Sequence, residues 1–162
     1  MTKPKFFLPI SSLLTPSGRM SRLQYFVYGL ICSAAWIALM VVIAQFDASN
    51  AIVVTIILNG LCLLGFLYMI FCLAVKRLHD LGWPAWLVIF MLLDLPLDYL
   101  VESTAPFAHV PEVLTTVMHG IDLICRTVSF GLGIGLTFVR GNRGANSHGP
   151  DPLQAPSPEA VF

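Results

Sequence analysis

Apolar residues occupy this chain in long runs broken by short polar stretches. A helix needs roughly 20 apolar residues to cross a ~30 Å hydrocarbon core, and the run at about 23–45 has that length. Tyr25 and Tyr28 suit the membrane interface at its start, and Ser21 just before it is a candidate N-cap. Phe46 to Asn50 reads as a tight turn, and a second uncharged run fills 51–75. Next comes a polar hinge, Lys76-Arg77-Leu78-His79-Asp80, in which Lys76 and Asp80 stand four apart as a helical pair. Gly82 can take the left-handed position that ends a helix, and Pro84 forbids its continuation. A third run covers about 84–101, with Trp83 and Trp86 as interfacial anchors and Pro96 expected to kink or end it. The fourth, about 113–139, has a start anywhere from Pro111 to Ile121 and the close-packing pattern Gly131-x-x-x-Gly135. The pattern predicts an all-α, polytopic membrane bundle of four transmembrane helices. Residues 1–22 form an N-terminal segment, in part interfacial, and 140–162 a tail that is disordered from about 153.

Composition reinforces this reading. Of the 162 residues 57% are hydrophobic and 11% charged, against about 25% charged in soluble domains. Net charge is zero, so the placement of charges carries the information. Lys3, Lys5, Arg19, Arg22, Lys76, Arg77, Arg140 and Arg143 all lie in the N-terminal segment, the hinge and the tail. The two opposite loops hold Asp47, Glu102 and Glu112 and no base. That asymmetry puts both termini and the hinge in the cytoplasm. Bases scattered among short loops make no groove-sized patch, so nucleic acid is not an expected partner. Cys32, Cys62, Cys72 and Cys125 fall inside apolar runs without C-x-x-C spacing, which fits packing rather than a disulfide or a metal.

Two polar constellations remain. On the cytoplasmic side Arg19, Arg22, Lys76, Arg77, His79, Asp80, Arg140 and Arg143 converge. An exposed base beside an acidic leaflet is worth roughly 1 kcal/mol, so lipid contact accounts for several of them. A sharper version makes Arg77 and Arg22 the forks of a head-group site, with His79 and Asp80 as an oriented pair. The second constellation lies inside the membrane. At 1.5 Å per residue, Asp94 sits ~15 Å and Asp98 ~21 Å from the cytoplasmic start of their span. Counted the same way, Asn59 is ~24 Å, Arg126 ~20 Å and Asp122 ~25 Å deep. These five side chains share one layer, where a bare charge costs ~3 kcal/mol. Pairing of Arg126 with Asp94 or Asp122 is therefore expected. A polar vestibule for a cation or proton is the functional alternative.

Gly18-Arg19-Met20-Ser21-Arg22, Val75 through Trp86, and Gly144-Ala145-Asn146-Ser147-His148-Gly149-Pro150-Asp151-Pro152 occur in that order. Together they resemble the bacterial inner-membrane family catalogued as domain of unknown function 805. The resemblance rests on Gly18, Arg19, Arg22, Arg77, Leu78, His79, Asp80, Gly82, Trp86, Asn146, Gly149, Asp151 and Pro152. His148 stands where a tyrosine is usual and Pro84 where a serine is common. The resemblance implies a small multi-pass protein of the bacterial cytoplasmic membrane, and it implies no activity.

The residues offer no catalytic constellation, metal site or cofactor motif. The expected function is a non-enzymatic membrane component. Its basic cytoplasmic face would bind anionic lipid head groups, a partner membrane protein or a second copy of the chain. One alternative is a small ion- or proton-coupled permease using Asn59, Asp94, Asp98, Asp122 and Arg126, since Pro96 beside two carboxylates resembles an interrupted helix. A lipid-modifying enzyme acting through His79 and Asp80 is the other.

Overall fold

The computed structural model describes residues 8–47, 52–93 and 111–153, and every regular element in them is helical. A short helix, α1 (Ile10–Leu13), precedes two long ones, α2 (Arg22–Asp47) and α3 (Ile52–Leu81). A 3-10 turn at Ala85–Leu87 leads into α4, helical over 88–93, and α5 (Glu112–Phe138) follows. Among the described residues three helices are long and apolar enough to cross a membrane: Arg22–Gln45, Val53–Leu81 and Glu112–Phe138. The expected third span at 84–101 is described only as far as 93. Pro96, Asp94 and Asp98 lie outside the described residues, as does the tail beyond 153.

Local chemistry sets the helix ends. Ser21 and Gln24 form a capping box at α2: the Ser21 Oγ accepts from the Gln24 main-chain N–H (3.4 Å), and the Gln24 Oε1 accepts from the Ser21 N–H (3.1 Å). At the far end of α3, Gly82 adopts φ +70°. Trp83 N–H donates to the Leu78 carbonyl (2.9 Å) and Gly82 N–H to that of His79 (3.3 Å), the reciprocal pair of a Schellman stop. The hinge is thus helical, and the helix stops at Gly82 as the sequence suggested, its last residue Leu81 lying six beyond the apolar run that closes at 75. Its polar residues form the last turn and a half of α3. At 30 residues α3 is ~45 Å long, half again the ~30 Å hydrocarbon core, so its polar end emerges from the apolar layer.

Burial is inverted relative to a water-soluble protein. Ile56, Leu64 and Val53 are each 65% exposed, whereas Arg77 is 0% exposed and is the largest fully buried side chain. A surface of aliphatic side chains around an interior that holds charges is stable only where the solvent is itself apolar. α2 lies along α3, with Trp36 stacked on Phe66 at 4.8 Å, and α5 touches both. Ser129 Oγ donates to the Phe90 carbonyl (2.8 Å), tying α5 to α4. Both buried apolar clusters sit near the hinge. One gathers Ala74, Val75, Leu78, Leu81, Val88 and Leu136, and the other Leu13, Met20, Tyr28 and Leu73. Among the described residues, the best-packed part is the end that carries the bases.

Candidate functional site

The centre of that end is a buried ion triad. Arg77 and Asp80 are three apart on one helical face, so the Asp80 carboxylate meets the Arg77 guanidinium through its Oδ2. Its Oδ1 accepts from Arg19 Nε (3.0 Å) and lies 2.9 Å from Arg19 Nη2. One carboxylate thereby neutralises part of two guanidinium groups, all three side chains being buried. The sequence suggested a Lys76–Asp80 pair, and the structure corrects this. Both oxygens of Asp80 face arginines, whose planar forks match a carboxylate better than an ammonium does. Lys76 instead donates to the Ser12 carbonyl and holds the N-terminal segment on α3. Tyr68 does the same one level up, donating to the Leu14 carbonyl (2.6 Å).

The remaining guanidinium donors go to main-chain oxygens. Arg77 Nε donates to Leu136 O (2.7 Å), Nη1 to Met20 O (3.3 Å) and Nη2 to Val139 O. The last carbonyls of a helix have no partner within it, and a cation there also meets the negative end of the helix dipole. Arg77 therefore caps α5 while anchored on α3. Arg19 donates to Asn142 O and Gly144 O, both at 2.5 Å, and to Gly149 O at 3.4 Å. Asn142 N–H donates to Asp80 O (2.8 Å) and Asn146 Nδ2 to His79 O (3.0 Å). Every carbonyl in the last turn of α3 from Leu78 to Asp80 is thus satisfied, in part by the tail. Residues 139–152 fold back as a strap that two arginines and the α3 terminus hold in place.

His79 sits at the rim of this clasp. Its ring stacks on His148 with centroids 3.8 Å apart and planes 6° apart, and its Nδ1 lies 3.2 Å from Gly18 O. Gly18 has φ +91°, a conformation that turns this carbonyl inward at little strain for glycine. Asp151 fastens the strap to itself. The Leu153 and Gly144 N–H groups hold its carboxyl below the usual carboxylate range.

Of the predicted cytoplasmic residues, Arg19, Lys76, Arg77 and Asp80 are buried, His79 is half-buried, and Arg22 and Arg140 are exposed with Arg143. The exposed three line a cleft of ≈ 580 Å³ together with Ser21, Arg77, Asp80, Gly141, Asn142 and Asp151. Gly141 and Asn142 escaped the sequence reading because neither carries a charge or falls in a motif. Gly141 nevertheless packs its backbone directly against the Asp80 carboxylate. A Cβ there would collide with the Asp80 carboxylate. Gly141→Ala is expected to lower stability by ~1–3 kcal/mol, the usual range for overpacking, as read from thermal unfolding in a mild detergent. An unchanged midpoint would show that the strap does not bear on Asp80.

The intramembrane layer is only partly described. Arg126 Nη2 lies 3.1 Å from Asp122 Oδ2, one of the two pairings expected from the sequence. Asp122 is buried, Arg126 is half-exposed, and Asp122 Oδ1 finds no hydrogen-bond partner among the described residues. Asn59 donates to Thr55 O of its own helix (2.9 Å). Asp94 and Asp98 fall outside the described residues. The four cysteines are free thiols.

Comparison with curated proteins and with solved structures gave no match. The triad, the Schellman glycine and the strap residues Gly144, Asn146 and Gly149 fall on the three segments whose order first suggested a known family, whereas Val139 and Asn142 lie just outside them. The match to that family runs from residue 13 to 150, nearly the whole described chain, and the protein belongs to the family described as "Protein of unknown function (DUF805)".

Proposed function

We propose that this chain is a non-enzymatic, multi-pass component of the bacterial cytoplasmic membrane, with both termini inside, whose basic cytoplasmic face binds the anionic membrane surface. The observation that carries this reading is the division of labour among the bases. Arg19, Lys76 and Arg77 are buried and committed to main-chain carbonyls and Asp80, whereas Arg22, Arg140 and Arg143 stay exposed at the same end. A helix end that needed bases only for packing would not leave three more at its surface. Trp83 and Trp86, 37% and 63% exposed, mark the interfacial level beside them. The one histidine that resembled a catalytic base is stacked on a second ring and faces a main-chain carbonyl, contacts that support a structural role for it.

The test is lipid selectivity after reconstitution into mixed phosphatidylglycerol and phosphatidylcholine vesicles. Phosphatidylglycerol is expected to be enriched in the first lipid shell at ~0.1 M salt. The enrichment should fade toward ~1 M, as the screening length falls from ~10 Å to ~3 Å. Equal occupancy by the two lipids at low salt would contradict the proposal.

A further inference from the structure

We infer that the cleft where α2, α3 and the strap meet is a discrete site for a net-anionic phosphate ester, rests on the membrane-surface reading above, and narrows it to one ligand chemistry. Arg22, Arg140 and Arg143 line the cleft and are exposed, and among the described residues none of them forms an ion pair. The two acids in its wall are already engaged. Asp80 is shared between two buried guanidinium groups, and Asp151 accepts main-chain N–H groups of the strap and lies within the field of Arg19 and Arg140. The two acids thus face Arg22, Arg77, Arg140 and Arg143 in the cleft wall. The cleft therefore keeps an excess of positive charge after its internal pairs are formed. The N-terminus of α2, a helix of 26 residues, opens into it through Ser21 and Arg22 and adds the positive end of a helix dipole.

Several guanidinium forks around one concavity suit the tetrahedral oxygens of a phosphate better than a planar carboxylate or a diffuse acidic surface. Its volume, ≈ 580 Å³, admits a phosphate together with a small polar ester group. Its height points to the source. It is built from the first residue of α2, the last turn of α3 and the residues after α5, so it lies where three helices meet the head-group layer. Trp83, whose ring lies 3.4 Å from where a Gly135 Cβ would stand, ties α5 to that same level.

The experiment uses the full chain in an uncharged detergent, probed separately with phosphatidylglycerol, phosphatidylcholine and sn-glycerol 3-phosphate. The parent is compared with R22Q/R140Q/R143Q and with the charge-keeping R22K/R140K/R143K. One saturable phosphatidylglycerol site is expected, weakened by about tenfold or more in the glutamine variant. The lysine variant keeps the charge but not the forks, so its affinity should fall between those of the parent and the glutamine variant, and its folding provides the control should the glutamine variant unfold. Binding of glycerol phosphate without phosphatidylglycerol would support the same site with a soluble ligand. Parent-like phosphatidylglycerol affinity in a folded glutamine variant would overturn the cleft and leave the broader basic face standing. A parent that binds none of the three preferentially would overturn both.

Discussion

Arg77→Ala is expected to destabilise this protein by ~3–5 kcal/mol, the range for removing one partner of a buried ion pair. The side chain is fully buried and reaches acceptors on four separate segments: Met20 before α2, Asp80 on α3, Leu136 in α5 and Val139 at the start of the strap. Truncation leaves Asp80 half-neutralised and strips the α5 terminus of its cap. Arg77→Lys should recover little, because one ammonium cannot span acceptors that a planar fork reaches in different directions. The burial adds a signature that a surface ion pair lacks. The loss should persist at ~1 M salt, where exposed pairs are screened. Thermal unfolding in detergent at low and high salt measures both. A shift equivalent to less than ~1 kcal/mol, or one that salt abolishes, would mean that Arg77 is an ordinary surface base.

Asp80→Ala should be nearly as damaging, by the converse route. It leaves Arg19 and Arg77 close together in a buried site without the carboxylate between them. Uncompensated burial of either guanidinium costs several kcal/mol. Repulsion should push Arg19 outward and take with it the Asn142, Gly144 and Gly149 carbonyls that it holds. Because the members act as a unit, Arg77→Ala and Asp80→Ala should be strongly non-additive. The double variant is expected to be only slightly less stable than the worse single one. Additive losses would show that the pair is not coupled and that each residue packs independently.

The sequence made three of the four expected spans legible, with the capped start of α2 and the end of α3, because hydropathy, the capping serine and the terminating glycine are local signals. Ser21, Gly82 and the run from Ile52 each behave as their neighbours dictate. The fate of the bases was not legible. Counting Lys and Arg by loop treats every one as facing water or lipid, yet Arg19 and Arg77 are inside and Arg22 and Arg140 outside. The distinction depends on Asp80, the one acid among the hinge bases, and on a tail more than sixty residues away in sequence. One local clue was present: Arg77 and Asp80 at i, i+3, with Leu78 and Leu81 beside them, is the spacing of an internal pair on a packed face. The Asp122–Arg126 bridge was legible for the same reason, being confined to one helix. No comparable spacing announces Gly141, whose importance comes solely from the carboxylate packed against it.

The buried clasp and the cleft beside it require that the strap be part of the folded protein and fixed by the α3 terminus. Hydrogen exchange at its main-chain amides measures this most directly. In the parent, Asn142 N–H, which donates to Asp80 O, and Asn146 and Gly149 N–H, which donate to each other's carbonyls, should exchange slowly. In Asp80→Ala they should approach the rate of an unstructured peptide while the middle of α3 stays protected. Rapid exchange across 142–149 in the parent itself would contradict the clasp and the cleft built upon it.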